Sequence, residues 1–371
     1  MNYNWQLPDW PKFKYDIKGL EPQLLSYAQI SGKLSGTLEG LGAPLRDETL
    51  IDFMVTEAIK SSKIEGEEIL FEDVKSSILN QLGLNKPPKQ VDDLRAKGIA
   101  QMMLHVNATR SLPLDESTLF QWHDMLFLGQ SGRSRIKTGG WRTHEDPMQI
   151  VSGPYGKWKI HFEAPPWRQG PFEMERFIQW FNDTAPSGST PIVHAPIRAA
   201  IAHLYFETIH PFEDGNGRIG RAISEKALLQ QSPFVTILSL STSIEAKKKA
   251  YYDALQQAQK SNEITDWLEY FLHMLLKAQE MAEASIRFIM NKTNFMASAM
   301  MQTNERQLKV LNRLLEEGPG TFVGGINAKK YGAIGKCSKT TATRELSDLL
   351  EKGLLKKLPA GGRSTAYELN F

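Results

Sequence analysis

The spacing of hydrophobic positions predicts a chain that is mostly helical. In five N-terminal segments, hydrophobic residues recur every three to four positions, and glycine or proline interrupts the pattern between segments. The predicted helices cover Gly19–Leu41, Asp47–Lys63, Phe71–Leu84, Val91–Asn107 and Asp115–Leu128. Asp47 and Asp115 are placed to cap the second and fifth of these, because a short acidic side chain can accept hydrogen bonds from the free N–H groups of a helix start.

The helical period is lost between residues 139 and 166, where glycine, proline and aromatic residues are frequent. Gln149–Val151 and Lys157–Phe162 are predicted to pair as a β-hairpin, with Gly153–Gly156 as the turn. In the second strand Trp158, Ile160 and Phe162 alternate with polar residues, which is typical of a half-buried strand.

Helical spacing resumes after the hairpin and continues toward the C-terminus. The next predicted helices are Pro171–Phe181, Ala195–Thr208, one beginning after Gly215, Ser243–Lys260 and Thr265–Met290. The last part reads as a separate module with helices at Glu305–Leu315, Asn327–Tyr331 and from a Ser338 cap to Lys352, then strands Leu354–Leu358 and Thr365–Leu369 around Gly361-Gly362. Three helices followed by a two-stranded wing predict a winged helix-turn-helix.

Composition and charge narrow the class of protein. The 371 residues are 41% hydrophobic and 23% charged, as in ordinary globular proteins. Lys plus Arg number 44 against 42 for Asp plus Glu, which argues against a protein devoted to coating nucleic acid. A single cysteine, Cys337, cannot form an internal disulfide and fits a reducing compartment. The sequence shows no signal peptide and no apolar run long enough for a membrane span, so we expect a cytoplasmic protein without membrane contact.

A chemically dense segment lies between two predicted helices. It reads His210-Pro211-Phe212-Glu213-Asp214-Gly215-Asn216-Gly217-Arg218-Ile219-Gly220-Arg221. Gly215 and Gly217 let the backbone approach an anion closely, and the N–H groups at the following helix start favour negative charge. Arg218 and Arg221 lie three residues apart and share a face of the first turn. A backbone nest with two forked cations forms a site for a polyphosphate.

Two further side chains suit phosphoryl or nucleotidyl transfer. Asp214 offers a hard oxygen to Mg²⁺, which takes one or two carboxylates together with phosphate oxygens. His210 supplies a group that accepts a proton near neutral pH. A glycine loop with one arginine is often only a turn, and a lone histidine is more often structural than catalytic. Here the whole segment agrees with one chemical scheme, which favours the functional interpretation.

This segment resembles the Fic motif, His-x-Phe-x-Asp/Glu-Gly-Asn-Gly-Arg-x-x-Arg, at every fixed position. Ala199–Phe212 is similar to the helix that leads into that motif, and the Gln149–Phe162 hairpin is similar to the family's flap. The N-terminal part resembles a small helical domain often found in front of Fic cores. The resemblance implies a mainly α fold with an N-terminal helical domain at 1–105, a Fic core with a β-hairpin flap at 106–290, and the winged helix at 300–371.

The resemblance also implies an activity, that of a protein adenylyltransferase moving AMP from ATP to a Ser, Thr or Tyr hydroxyl of a target protein. His210 would deprotonate the hydroxyl for attack on the α-phosphorus, and Asp214 would hold Mg²⁺ against the phosphates. Phe212 would anchor the loop in the core. The Asn216 side chain would add a donor to the phosphates. The residues that would bind ATP are Gly215, Asn216, Gly217, Arg218, Arg221, Tyr251 and Tyr252. One of the two tyrosine rings would stack on adenine while the other packs in the core; the sequence leaves open which.

A second motif lies far upstream. Ser61-Ser62-Lys63-Ile64-Glu65-Gly66 matches the family's inhibitory pattern, Ser/Thr-x-x-x-Glu-Gly/Asn. The four-residue spacing puts Ser61 and Glu65 on one helical face, and Gly66 can end the helix. We expect Glu65 to form a bidentate pair with Arg221 and so to turn ATP into an unproductive pose. Because Gly66 already ends the helix, Glu65→Gly is expected to cost little stability. The alternative is a chance match with Glu65 in solvent.

The hairpin and the winged helix each allow two interpretations. Ile150, Val151 and Ile160 would dock an extended target segment along the flap, or the hairpin would only cap the edge of the fold. DNA binding by the winged helix is favoured by Arg344 and by a wing arginine, Arg363. Further residues of this kind on the same helix are Lys339, Thr340, Thr341 and Thr343. Glu345, Asp348 and Glu351 oppose it, and winged helices also serve in packing or dimerisation.

Two rival functions remain open at this stage: removal of AMP from a modified protein by the same site, and regulation of transcription by a Fic core that senses nucleotide. The sequence does not name the target protein or the oligomeric state, and a homodimer is among the options.

Overall fold

The computed structural model describes residues 3–129, 136–153, 158–231, 238–316, 325–359 and 365–370. Within these ranges the chain is mainly helical, with two small antiparallel strand pairs. The helices are α1 Glu21–Glu39, α2 Ala43–Ile64, α3 Phe71–Gln81, α4 Leu94–Ala108, α5 Glu116–Leu126, α6 Gly170–Asp183, α7 Ala195–Ile209, α8 Asn216–Gln231, α9 Leu240–Ala246, α10 Lys248–Ala258, α11 Thr265–Gln302, α12 Glu305–Glu316, α13 Ala328–Gly335 and α14 Lys339–Glu351. The strands are β1 Gln149–Ser152, β2 Lys159–Glu163, β3 Leu355–Lys357 and β4 Tyr367–Leu369.

The chain divides into two compact units, Met1–Ala282 and Glu283–Phe371. The boundary falls within α11, which the sequence predicted to end near Met290 and which continues to Gln302. The division of the first unit near residue 105, between an N-terminal helical domain and a core, stays a prediction. No described helix is long and apolar enough to cross a bilayer.

Helix α7 is the centre of the first unit. Every residue from Pro196 to Ile209 is buried, so this helix has no solvent face. A helix that is apolar on most of its circumference is stable only inside a core, and the sequence of α7 has that character. Helix α8 packs against α7. The loop between them, residues 210–215, is therefore held at both ends by buried elements.

Local sequence signals predicted several helix ends. The Asp115 side chain accepts from the Thr118 N–H at 2.7 Å, and Ser338 accepts from the Thr341 N–H at 3.2 Å, so both predicted caps are confirmed. The Asp47 cap is wrong, because α2 already begins at Ala43 with a proline in its first turn. The single helix predicted from Ser243 is also wrong: a break at Lys247 (φ −135°, ψ 41°) separates α9 from α10.

The predicted hairpin is confirmed by the antiparallel pairing of β1 with β2, with an irregularity between Ile150 and Val151. Residues 154–157, which include most of the predicted Gly153–Gly156 turn and the first residue of the predicted second strand, lie outside the described residues. The predicted alternation in the second strand is only partly correct. Phe162 is buried, while Trp158 and Ile160 are exposed.

The second unit contains α12, α13 and α14 followed by β3 and β4, in the predicted order. An isolated bridge between Ile326 and Tyr367 adds a short pairing beside β4. The side chain of Glu345 on α14 lies in the interior, where it accepts from Arg306 Nε at 2.9 Å and from the Tyr331 hydroxyl at 2.7 Å. The glycine turn predicted at 361–362 and the wing residue Arg363 lie outside the described residues.

Candidate active site

The loop that joins α7 to α8 begins with a left-handed residue. His210 ends α7 with φ 50° and ψ 58°, and its N–H donates to the Phe206 carbonyl at 3.0 Å. Left-handed backbone costs a non-glycine residue about 1–2 kcal/mol, so the surrounding contacts must hold it. Phe212 is fully buried and stacks on the His123 ring with centroids 4.1 Å apart, as expected of a core anchor.

Asn216 closes the loop from its other end. Its Nδ2 donates to the Phe212 carbonyl at 2.8 Å, and its Oδ1 accepts from the Phe212 N–H at 3.0 Å. These bonds use the amide oxygen and one of the two N–H groups of Nδ2, so the expectation that the Asn216 side chain adds a donor to phosphate rests on the second N–H and stays a prediction. The Asn216 side chain therefore shapes the loop. Gly215 precedes it with φ +83°.

His210 is held as a neutral imidazole. Burial lowers its pKa to about 4; the positive charge of Arg142 acts in the same direction, and a hydrogen bond to the Glu207 carbonyl opposes it. The Glu207 carboxyl lies 3.7 Å from His210 Nδ1. Burial raises the pKa of Glu207 to about 8, with Arg221 opposing. At neutral pH this contact therefore joins two mostly uncharged groups and is not an ion pair.

Gly217 and Arg221, at the start of α8, form an anion site, the anion cradle, and a carboxylate occupies it. Arg221 is 2% exposed, and its Nη2 donates to Glu65 Oε1 at 2.8 Å. A Cβ added to Gly217 would lie 2.4 Å from the same oxygen, so only glycine leaves room for that anion. The Glu65 carboxylate thus lies beside the N-terminus of α8, where the free N–H groups and the helix dipole favour negative charge.

Ser61 shares Arg221 with Glu65. Arg221 Nε donates to the Ser61 hydroxyl at 2.9 Å, and Nη2 donates to the Ser61 carbonyl at 3.0 Å. The expected contact between Glu65 and Arg221 is present, but the expected bidentate geometry is wrong. Glu65 accepts through one oxygen, and Ser61 occupies the edge of the guanidinium formed by Nε and Nη2.

Glu67 is a partner that the sequence analysis missed. Its two carboxylate oxygens accept from Arg218 Nη1 at 3.0 and 2.9 Å. Arg218 is also buried, lies over the Phe127 ring at 5.3 Å, and has an Nε without a hydrogen-bond partner among the described residues. The sequence did offer a signal for this contact: several glutamates lie between Glu65 and Glu68, and the motif has two arginines that need anionic partners.

The end of α2 aims both carboxylates at α8. Gly66 has φ +84°, the Gly66 N–H donates to the Lys63 carbonyl at 3.0 Å, and the Glu67 N–H donates to the Ser62 carbonyl at 3.0 Å. This pair of bonds is a Schellman motif, which favours glycine at the left-handed position. The prediction that Gly66 ends the helix is confirmed. Lys248 Nζ donates to the Ile64 carbonyl and adds a cation at the same helix end.

Neighbouring positive charges keep the Glu65 carboxylate ionised. Burial acts to raise its pKa, but the positive charges of Arg221, Arg218 and Lys248 outweigh burial, so the pKa lies below the ordinary value. The pKa of Arg221 is raised, since its anionic neighbours outweigh its burial. Both groups are therefore ionised at neutral pH, and their contact is a true ion pair.

The two tyrosines on α10 have different surroundings. Tyr251 is 1% exposed, and its hydroxyl lies 2.6 Å from His203 Nε2. Tyr252 is 38% exposed, and Lys248 Nζ lies 5.9 Å from its ring centroid. Of this pair, Tyr251 is the core ring, and Tyr252 is the ring with a face open to a ligand.

Asp214 and the hairpin supply the remaining predicted side chains. Asp214 is exposed; its Oδ1 accepts from the Gly215 N–H at 2.6 Å. No group of three or more His, Cys, Asp or Glu side chains in the described ranges could hold a metal by itself. A cation at Asp214 would therefore need ligands from a bound molecule. On the hairpin, Ile150, Val151 and Ile160 are exposed.

Comparisons with known proteins find two domain matches along the chain. Residues 113–228 match the Fic/DOC family. The chain contains a Fic domain. A second match, to a domain of unknown function (DUF4172), covers residues 3–84 and so includes Ser61 and Glu65. The Fic match contains His210–Arg221 and the hairpin, but it ends before Tyr251.

The curated relatives match short parts of this chain, and one solved structure matches nearly all of it. The chain is 33% identical over 86 residues to protein adenylyltransferase fic-1 of Caenorhabditis briggsae, covering 23% of this chain and 15% of that protein. It is 30% identical over 117 residues to protein adenylyltransferase Fic of Nematostella vectensis, covering 31% and 25%. The crystal structure of a Fic family protein from Desulfovibrio desulfuricans matches 94% of this chain and 96% of its own at 20% identity and a TM-score of 0.51.

The low pKa of His210 leads to a testable prediction. Because burial lowers this pKa to about 4, the imidazole should stay neutral from pH 8 to about pH 5, whereas a free histidine titrates near 6.5. Nitrogen chemical shifts of the ring, assigned by loss of the signal in His210→Gln, measure this. A titration midpoint near pH 6.5 would contradict the assignment.

The same shift predicts a pH dependence of stability. Below about pH 6.5 the His210 ring is protonated in the unfolded chain, whereas in the folded chain it stays neutral down to about pH 4. The contribution of His210 to the free energy of unfolding is therefore complete above pH 6.5 and is lost as pH falls toward 4.

Proposed function

We propose that this protein transfers AMP from ATP to a hydroxyl side chain of a target protein, with His210 as the general base. The observation that carries the proposal is the pairing of a neutral imidazole, whose side chain is only 12% exposed, with an anion cradle containing two buried arginines. Chains named protein adenylyltransferase share this Fic domain at 30–33% identity over the aligned residues, which supports the same chemistry.

ATP fits the cradle by the chemistry of its donors. The space beside Gly217 already accommodates one carboxylate, and Arg221 and the start of α8 stabilise negative charge there. Arg218 has a buried, unpartnered Nε that a phosphate oxygen could satisfy. We assign the phosphates to these groups and to the amides around Gly215 and Gly217, and the adenine ring to the exposed face of Tyr252.

Asp214 is the residue we assign to Mg²⁺. Its carboxylate is exposed at the loop, and one oxygen remains after the bond to the Gly215 N–H. Mg²⁺ commonly binds through one carboxylate, water and substrate phosphates, so a single acidic side chain suffices. When bound, the ion would neutralise phosphate charge as the leaving group departs.

The proton transfer follows from the tautomer of His210. The hydrogen bond to the Glu207 carbonyl places the ring proton on Nδ1, because that side of the ring faces Glu207. Nε2 is then the basic nitrogen and takes the proton from the target hydroxyl. The hydroxyl oxygen bonds to the α-phosphorus, the bond from the α-phosphorus to the bridging oxygen breaks, and pyrophosphate leaves. The proton on Nε2 passes to solvent.

The target would dock on the hairpin. Ile150, Val151 and Ile160 are exposed on two strands that pair only with each other among the described residues. An extended segment of the target can add to such an edge through main-chain hydrogen bonds. This arrangement would hold the hydroxyl in register with His210.

The base assignment predicts the effect of His210→Ala. Transfer should fall by roughly 10²–10⁴-fold, because general-base catalysis contributes about that factor. ATP affinity should change little, since Arg218 and Arg221 remain. Transfer of label from α-labelled ATP and calorimetric ATP binding measure the two effects. Near-normal labelling by a folded His210→Ala protein would remove His210 from the mechanism.

We further propose that Glu65 restrains the enzyme. Its carboxylate occupies the cradle and pairs with Arg221, which is the donor that the γ-phosphate needs. ATP bound beside it would have its phosphates turned away from the pose for in-line attack. Glu67 applies a second restraint by occupying Arg218. Both carboxylates belong to the same end of α2, so one displacement would release both arginines.

This restraint predicts that Glu65→Gly raises self-labelling by at least tenfold, which corresponds to about 1.4 kcal/mol in the barrier. Glu67→Gln should raise it less, because Arg221 stays paired, and the double variant should exceed both. Glu68→Gly, the same change at a neighbouring exposed position, is the control. Wild-type labelling in Glu65→Gly would refute the restraint.

The buried position of Arg221 revises the expectation for stability. Glu65→Gly removes a charged partner from a side chain that is 2% exposed, so the variant should melt at a lower temperature. Saturating ATP should restore much of the loss, because phosphate replaces the carboxylate. Differential scanning calorimetry with and without ATP tests this.

Removal of AMP is the alternative use of the same site. A target labelled beforehand by the Glu65→Gly variant, repurified and incubated with the wild-type protein, distinguishes the two directions. Retention of label supports transfer as the activity of the wild type. Release that depends on Glu65 supports removal.

A second candidate function, DNA binding by the second unit, is favoured by the position of Glu345. This acidic side chain lies inside the unit, paired with Arg306, and so does not oppose DNA from the helix surface. Asp348 is held by Lys352 and Gln307. The exposed side chains near the start of α14 are Lys339, Thr340, Thr343 and Arg344. Glu351 remains exposed.

DNA binding predicts a salt-dependent affinity for duplex DNA that falls when Lys339 and Arg344 are changed to alanine. Each lost phosphate contact should lower the salt slope by about 1. Fluorescence polarisation with a mixed-sequence duplex measures this, and Lys249→Ala, at an exposed position on α10, is the control. Equal binding by all variants, or none at low salt, would exclude this role for α14.

A further inference from the structure

A buried arginine outside the Fic motif, Arg142, contacts the motif loop. Its backbone N–H donates to the Pro211 carbonyl at 2.9 Å, and its Nε donates to the His210 carbonyl at 2.9 Å. Its Nη2 donates to the carbonyl of Pro165, two residues after β2. One residue thus holds two consecutive carbonyls of the motif and the end of the hairpin.

We propose that Arg142 is a positioning residue for His210, fixing the left-handed turn that presents the imidazole and holding the hairpin at a set distance from it. The proposal rests on the proposed function, since it assigns Arg142 to the same transfer reaction.

The backbone of His210 needs a partner of this kind. A left-handed histidine is strained, and its carbonyl follows the end of α7, where no intrahelical partner is available. The guanidinium supplies that partner from a side chain that is 3% exposed. Because the carbonyls of His210 and Pro211 are both engaged, the peptide groups on either side of Pro211 cannot rotate freely.

The buried positive charge of Arg142 also acts on His210. Burial lowers the pKa of Arg142 to about 10, and no carboxylate of the described residues acts to raise it, so a cation is buried there without a counter-ion. A neutral donor could satisfy the carbonyls at lower desolvation cost. The positive charge is useful near a base that must be neutral, since it disfavours protonation of His210. The hydrogen bond to the Glu207 carbonyl and the negative charges of Glu65 and Asp214 act to raise the pKa of His210, but each has a smaller effect than burial or Arg142.

Arg142 also connects the hairpin to the loop that carries His210. Arg142 lies seven positions before β1, and Pro165 follows β2, so the guanidinium gathers both ends of the hairpin region onto the loop that carries His210. A target segment docked on the hairpin would therefore reach the imidazole at a distance that Arg142 sets. Misplacement of reacting groups by about 1 Å can cost roughly 10²-fold in rate.

Arg198 offers a matched control for a purely structural role. It is 0% exposed, burial lowers its pKa to about 10, and it donates to the Phe181 and Ala227 carbonyls at 2.7 and 3.3 Å. It lies at the opposite end of α7 from His210. A substitution of Arg198 removes the same kind of buried cation without touching the motif loop.

The test compares Arg142→Met, Arg142→Lys and Arg198→Met in the Glu65→Gly background. Self-labelling with α-labelled ATP gives the maximal rate and the ATP concentration at half-maximum. Arg142→Met should lower the maximal rate by about 10²-fold with the half-maximal ATP concentration within roughly threefold. Arg142→Lys should recover part of the rate, because an ammonium can still reach one carbonyl. Arg198→Met should lower the melting temperature without this loss of rate.

Amide hydrogen exchange gives a readout that does not need activity. Residues 210–216 should exchange faster in Arg142→Met than in Arg198→Met, with the interior of α7 unchanged. If the Glu65→Gly parent does not label, the proposed function fails, and exchange alone decides the role of Arg142. The proposal is overturned if Arg142→Met and Arg198→Met match in loop exchange, or if both lose the same share of the rate.

Discussion

The guanidinium of Arg221 is buried at the start of α8, and a buried positive charge requires negative charge or several hydrogen-bond acceptors beside it. The protein meets this requirement with the end of α2, which brings the Ser61 hydroxyl, the Ser61 carbonyl and the Glu65 carboxylate to one side chain. The left-handed Gly66 turns the chain so that Glu67 reaches Arg218 in the same way. The anion cradle and its occupant are therefore two parts of one electrostatic arrangement.

This arrangement explains how the proposed phosphate-binding site can be stable without a nucleotide. Two arginines beside a helix N-terminus would repel each other and lose hydration if they were left alone. The carboxylates of Glu65 and Glu67 supply the missing charge, and they occupy donors that phosphates would use. Stability in the absence of nucleotide and the proposed restraint of turnover would thus have the same physical source, so a change that weakens one is expected to weaken the other.

The proposed base, His210, is organised by different means. His210 is neutral because it is buried and near Arg142, and it is oriented because its own backbone is left-handed and its carbonyl is held. Phe212 and Asn216 fix the following turn by stacking and by two hydrogen bonds. The loop therefore has polar contacts at the positions where the chain reverses and aromatic contacts where it enters the core.

Much of the fold and part of the site followed from the sequence, because those features depend on neighbours along the chain. The helical periods, the caps at Asp115 and Ser338, the glycine end of α2 and the twelve-residue motif are local patterns. Local patterns also misled at two places: Asp47 is a typical cap although α2 begins earlier, and the outer hairpin alternates like a half-buried strand although Trp158 and Ile160 are exposed.

Tertiary structure alone decided which of several chemically equivalent groups meet. Glu65 and Glu67 lie more than 150 positions from Arg221 and Arg218, and the sequence named one pair and missed the other. It could not choose between Tyr251 and Tyr252, which differ only in the side of α10 that faces the core. The sequence did not single out Arg142, because its partners are main-chain carbonyls, which every residue has. Spacing along a helix determines which residues share a face, but the partner of that face is determined by packing between distant segments.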